Sequence, residues 1–119
     1  METREQLEAR EDVRAVLDGL RARPDIGTAK LRPIDTAIGV VIVKTPSRGQ
    51  AAVMMTQIHD DDPGVKSKAM TGLFQMCIVH PAPAEVAKAL DEYPLALTEP
   101  GAMLEFRRHI GNAREAEEK

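Results

Sequence analysis

One cysteine (Cys77), no tryptophan and three aromatic rings (Phe74, Tyr93, Phe106) are all that 119 residues hold of these types. A lone thiol excludes an intrachain disulfide and fits a reducing compartment. So few flat rings argue against base-stacking platforms and aromatic sugar sites. No apolar run approaches ~18 residues, so nothing reads as a membrane span. An excess of positive charge is lacking too. Sixteen basic against nineteen acidic residues give a net charge of −3, which argues against duplex binding by bulk phosphate attraction. Residues 1–5 (Met-Glu-Thr-Arg-Glu) are charged where a secretory leader would be apolar, so a cytoplasmic location is expected. The length suits one domain with a core of its own.

What the chain does have is aliphatic periodicity. Over residues 4–22, Ala9, Val13, Val16, Leu17 and Leu20 fall on one stripe at helical spacing, ended by Arg23-Pro24. Arg4 with Glu8 and Arg14 with Asp18 face each other at i,i+4, each pair worth only ~0.2–0.5 kcal/mol. A turn is expected at 25–27. Residues 38–45 (Ile-Gly-Val-Val-Ile-Val-Lys-Thr) form a β-branched run apolar on both faces, which predicts a strand covered on both sides. Residues 28–35 are its expected hairpin partner across a turn at 35–37, and Pro33 would confine that partner to a sheet edge.

Ser47 and Gln50 have the spacing of a capping box, predicting a helix to about Ile58 with Ala51, Met54, Met55 and Ile58 on one face. Asp62 before Pro63 predicts a second start. The helix that follows, over about 63–80, carries Met70, Leu73, Phe74, Cys77 and Ile78 on one stripe. Met76 and Val79 make residues 73–79 apolar nearly all round, so a strand is an open alternative there. A short helix is expected over 83–92, with Val86, Ala87 and Leu90 inward. A last one starts near Thr98, carries Met103, Phe106 and Ile110, and stops at Gly111-Asn112. Arg107, Arg108 and His109 suit the negative end of that helix.

The expected fold class is therefore α+β and mainly helical. One strand or hairpin over 28–45 packs with four to five helices in a single domain. The expected organisation is an N-terminal charged amphipathic helix (1–24), a small α+β core (25–112) and a charged, disordered tail (113–119).

Polar chemistry is sparse. Cys77 and His80 have the spacing of half a zinc site, but structural zinc wants more thiolates than this chain owns. Residues 59–62 (His-Asp-Asp-Asp) lack the alternation of a calcium loop and suit an interhelical turn capped by Asp62. Residues 45–50 have one glycine where a phosphate loop needs two and a lysine. Ser47 is better used as a cap, and Cys77 sits where desolvation makes a thiol inert. No catalytic, cofactor or metal residue is expected, and the chain reads as non-enzymatic. The remaining signal is methionine: Met54, Met55, Met70, Met76 and Met103 lie on or near apolar helix faces. Soft unbranched side chains suit surfaces that accept variable segments. With Ile58 they are the candidate partner-binding residues.

The order over residues 38–110 carries a resemblance. A strand is followed by a Thr45-Pro46-Ser47 helix start, an acidic break before Pro63, an apolar helix, then residues 77–94 (Cys-Ile-Val-His-Pro-Ala-Pro-Ala-Glu-Val-Ala-Lys-Ala-Leu-Asp-Glu-Tyr-Pro). This resembles the small tail assembly chaperones and related tail-cluster proteins of long-tailed bacteriophages and prophages. The resemblance implies a non-enzymatic protein of the bacterial host cytoplasm that is absent from the finished virion. Its implied partner is the tape-measure protein, and the tail-tube protein with it, held soluble until the tail assembles. Two other readings stand beside it. One is a homo-oligomeric adaptor or virion connector associating through residues 4–22. The other is a small helix-turn-helix-like regulator using the helices of 83–110 with Arg107 and Arg108.

Overall fold

The computed structural model describes residues 3–26, 30–58 and 62–118, with the backbone alone for residues 54, 55, 57, 58 and 111–118. Thr3 opens helix α1 (Arg4–Ala9) through a capping box: its hydroxyl accepts from the Gln6 N–H at 3.3 Å, and the Gln6 side chain accepts from the Thr3 N–H at 2.8 Å. At Arg10 the backbone turns extended (φ −73°, ψ 134°) before helix α2 (Glu11–Arg21) begins. The single helix expected over 4–22 is thus two. In one continuous helix Leu7 would lie about 120° round from Val13 and could not share its buried face. The break lets both be buried. Leu7 is enclosed as α1 packs on the first strand, while Val13, Leu17 and Leu20 cover one face of the sheet. Ala9, expected on the stripe, is exposed.

The sheet has three antiparallel strands in the order β1 (Leu31–Thr36), β2 (Gly39–Lys44), β3 (Ile78–His80). Pairing runs from Leu31 opposite Lys44 to Thr36 opposite Gly39, with Val43 opposite Ile78 on the other side of β2. Pro33 lies on an edge strand, as its missing N–H requires. Alternation along β2 gives it two apolar faces. Val41 and Val43 join Ile34 and Ile78 in the larger core, and Ile42 joins Leu31 and the α2 stripe in the smaller one. The hairpin turns at Ala37 and Ile38, later than expected, because the next position supplies the glycine that the geometry needs: Gly39 has φ 102°.

The Ser47–Gln50 box starts α3 (Arg48–Ile58), with reciprocal bonds of 2.9 and 3.1 Å. Asp62 accepts from the Gly64 N–H at 2.8 Å and starts α4 (Pro63–Cys77), with Pro63 at the first turn. The ambiguous run over 73–79 divides: it is helical to Cys77 and extended from Ile78. The β-branched pair Ile78-Val79 completes the free edge of β2. Helix α5 (Pro83–Glu92) buries Val86 but leaves Ala87 exposed. Helix α6 (Pro100–Glu118) buries Ala102 and Phe106 and half-buries Met103 and Ile110. It runs through the expected stop at Gly111-Asn112. A glycine costs a helix only ~1 kcal/mol, and residues 113–118 (Ala-Arg-Glu-Ala-Glu-Glu) are mostly strong helix formers.

The fold is mainly helical α+β, with six helices and three strands among the described residues. α2 covers one face of the sheet, and α4, α5 and α6 contribute the core on the other. α3 stands apart from this arrangement. Its principal contact is with α4, and none of its described side chains is buried. The turn residue Gly27, residues 28 and 29 of the hairpin partner, and residues 59–61 of the acidic break lie outside the described residues.

Candidate protein-docking grooves beside helix α4

Helix α4 is apolar nearly all round because it serves two surfaces. Met70, Leu73, Phe74 and Cys77 point into the core, while Gly72 and Met76 come up on the outside, where α3 lies alongside. Between α3 and α4 runs an open groove of about 400 Å³, lined by Gly49, Val53, Ala69, Gly72 and Met76 with Lys68 at its rim. Apart from its own stretch of helix, no described atom lies within 4 Å of where a Cβ on Gly72 would stand, so the missing side chain leaves space there among the described residues. Val53 is 60% exposed and Met76 55%. On the other side of Met76, Gly72, Gln75, Ile78, Pro83 and Val86 line a second concavity of about 410 Å³. Met76 therefore stands on a ridge with an apolar hollow to either side.

Of the predicted partner-binding residues whose side chains are described, Met76 lies apart from Met70 and Met103. Met76 is on the groove. Met70 is a core residue, 5% exposed, and meets half-buried Met103 in a different cleft, where Lys66 and Arg107 form part of the wall. The side chains of Met54, Met55 and Ile58 lie outside the described residues, although their backbones belong to α3. Sequence reasoning missed Val53, which falls off the expected α3 stripe, and Gly49 and Gly72. Two glycines on facing helices were the available signal, but only if the two helices were known to be neighbours.

The polar candidates take structural places. Cys77 is enclosed, and burial pushes its thiol up to about 11 against a small opposing pull from Lys44. A thiol so placed is no nucleophile near neutrality. His80 lines a small cleft of about 240 Å³ with Arg10, Asp12, Val16 and Ile42. A histidine near a carboxylate in an open cleft is what an enzymatic reading asks for. Here, however, Arg10 grips both oxygens of Asp12, Nε to Oδ1 at 3.0 Å and Nη2 to Oδ2 at 2.7 Å. That guanidinium holds the Asp12 carboxyl below its ordinary range. Among the described residues no three His, Cys, Asp or Glu side chains group closely enough to hold a metal ion.

Behind β1, Arg32 is 6% exposed and pairs with Glu105 of α6, which also holds Arg108 at 3.0 Å. The Arg32 Nε and the His109 Nε2 are buried without a hydrogen-bond partner. Burial lowers the His109 pKa, and the nearby cations Arg32, Arg4 and Lys30 add to this, against a contribution from the Lys44 backbone.

No helix among the described residues is long and apolar enough to cross a membrane. The chain matches no protein-family model, no curated protein and no solved structure at a significant level.

Proposed function

We propose that this chain is a non-enzymatic protein-binding factor of the phage or prophage tail assembly chaperone type. It would cover apolar helical segments of a tail protein, such as a tape-measure-like client, in the cytoplasm of the bacterial host. One observation carries the reading. α3 packs principally on α4 and holds open a groove with Val53 and Met76 exposed and glycines at positions 49 and 72. Exposed apolar concavities of this kind mark interaction surfaces, and an amphipathic helix laid into a groove binds through a few anchors. The thioether of Met76 adapts to different side chains, which suits a partner with a long, irregular apolar seam.

The adaptor or connector reading draws less support. Of the stripe that would join two copies, Val13, Leu17 and Leu20 are taken up by the chain's own core and Val16 packs against it, leaving Ala9 exposed. Self-association would have to use the α3–α4 face instead. A helix-turn-helix reading is disfavoured because seven residues, 93–99, separate α5 from α6 where that motif has a turn of about three or four.

The test is co-purification of the tagged chain from cells expressing its genomic neighbours. A very long, helix-rich partner is expected, with recovery reduced at least tenfold by Val53→Glu and Met76→Glu, both at exposed positions. Recovery of the chain alone as a stable oligomer would overturn the chaperone reading in favour of the adaptor.

A further inference from the structure

A wide cleft lies on the opposite side of α4 from the groove, between the first turns of α4 and the middle of α6. It measures about 710 Å³ and is lined by Lys66, Ser67, Met70, Thr98, Met103 and Arg107. Three features set it apart. Lys66 and Arg107, exposed on two different helices, line the same cleft, and neither has an ion-pair partner among the described residues. The apolar part of its lining includes the soft side chains of Met70 and Met103, with Pro63. Of its two hydroxyls, Thr98 donates to the Leu95 carbonyl at 2.9 Å, which leaves Ser67 as the hydroxyl free to donate.

Two exposed cations beside methionine side chains in one cleft complement a ligand that offers carboxylates next to an apolar anchor. We infer that this cleft is a second docking site, which receives an acidic amphipathic segment of the protein partner. A glutamate or aspartate of that segment is held by Lys66 and Arg107, and an apolar side chain rests on Met70 and Met103. The inference rests on the protein-binding reading and adds the charge of the partner to it. The chain's few aromatic rings count against a nucleic acid in the same place. An apolar lining is of no use to a free inorganic anion.

The test uses the isotopically labelled full chain and a pair of synthetic amphipathic helical peptides. Both share one leucine-and-methionine face; one is flanked by glutamates and its twin by lysines. The acidic peptide is expected to shift the amides of Lys66, Ser67, Thr98 and Arg107, and to bind more weakly as salt is added. Lys66→Glu with Arg107→Glu should weaken the acidic peptide about tenfold and strengthen its basic twin, since each exposed pair is worth up to ~1 kcal/mol. Both positions are exposed, so a circular dichroism spectrum matching the parent's is expected. Met76→Glu should leave these shifts in place. Equal binding of the two peptides, or no binding by either, overturns the inference. Shifts confined to the groove around Val53 and Met76 also overturn it, while leaving the protein-binding reading intact. Inorganic phosphate that moves the same amides as far as the peptide does would make the occupant a small anion and overturn the acidic-segment assignment.

Discussion

Phe74 of α4 and Phe106 of α6 lie face to face, with ring centroids 4.6 Å apart and planes within 7° of parallel. They are the only two phenylalanines in the chain, and neither ring reaches solvent. A separation of 4.6 Å between nearly parallel rings means an offset stack, the arrangement that ring quadrupoles prefer. The chain has no tryptophan, and its one tyrosine, Tyr93, is exposed, so nothing else of this size can fill the space between the two helices. Phe106→Ala should therefore cost about 3–5 kcal/mol, read from urea denaturation midpoints. A double-mutant cycle with Phe74→Ala should return a coupling of about 0.5–1.5 kcal/mol. Additive losses would mean that the rings are independent fillers.

Buried Arg32 and half-buried Glu105 form the least exposed ion pair among the described residues. Glu105→Ala leaves a guanidinium enclosed with no counter-charge, and one of its nitrogens already lacks a partner. The expected loss is about 3–5 kcal/mol. Arg108→Ala removes the exposed arm of the same network and should cost less than about 1 kcal/mol. Arg32→Met with Glu105→Leu should recover most of the stability lost by Glu105→Ala, because a packed apolar pair needs no desolvation. Equal losses from Glu105→Ala and Arg108→Ala would refute this account.

What could be read from the sequence was whatever depends on neighbours in the chain. The Ser47–Gln50 box, the Asp62 cap ahead of Pro63, the β-branched strand and the edge position of Pro33 each follow from a few adjacent residues. What could not be read depends on partners far away in the chain. Leu7 is buried only because the helix breaks at Arg10, and the break matters only once β1 is there to receive α1. Ile78 leaves the helix because β2 has a free edge, which a window around residue 78 does not reveal. The methionines looked like one surface because helical periodicity marks faces without saying which face the core takes. The core took the side with Met70, and Met76 was left outside. Arg107 was read as a charge suited to its helix end, and its place beside Lys66 needed the packing of α6 near the start of α4.

The β1–β2 turn depends on one backbone angle. Gly39 holds φ 102°, a region that residues with a Cβ rarely adopt, and its carbonyl accepts the Thr36 hydroxyl at 2.7 Å. Open space surrounds the position, so a methyl group would meet no neighbour and the cost is conformational alone. Gly39→Ala should lower stability by about 1–2 kcal/mol. Thr36→Val should cost about 1 kcal/mol by removing the hydroxyl that also accepts from the Ile38 N–H at 3.2 Å. An unchanged denaturation midpoint for Gly39→Ala would show that the hairpin can turn another way.

Burial of Cys77 makes stability fall at alkaline pH. Its thiol is pushed up from 9.0 to about 11 in the fold, so over that interval the unfolded chain ionises first. A group raised in the folded state contributes fully below its unfolded value and loses that contribution as pH rises through the folded one. Stability should fall between about pH 9 and 11, and Cys77→Ala should flatten that limb while lowering the plateau through the cavity it leaves. In the native protein the thiol should react with a disulfide reagent only as fast as the chain opens, and a rapid reaction at pH 8 would contradict its enclosure.

His109 works in the opposite direction, at the acid end. Its ring is half-buried beside β1, and burial together with Arg32, Arg4 and Lys30 lowers its folded pKa below the ordinary 6.5, against the contribution from the Lys44 backbone. For a group lowered in the fold, the neutral form is the one the native state favours. Its contribution is therefore intact above pH 6.5 and is lost as pH falls through the folded value, because the unfolded chain takes up the proton first. Denaturation midpoints should decline from pH 7 to pH 5, and His109→Leu should remove part of that decline. The substitution removes a buried nitrogen without a partner but also the hydrogen bond to the Lys44 backbone, so the two effects oppose each other at pH 7 and the slope between pH 7 and pH 5 is the readout. An imidazole titration followed by NMR decides the point directly: a midpoint at or above 6.5 would mean that the ring is solvated, and that β1 and α6 do not close over it.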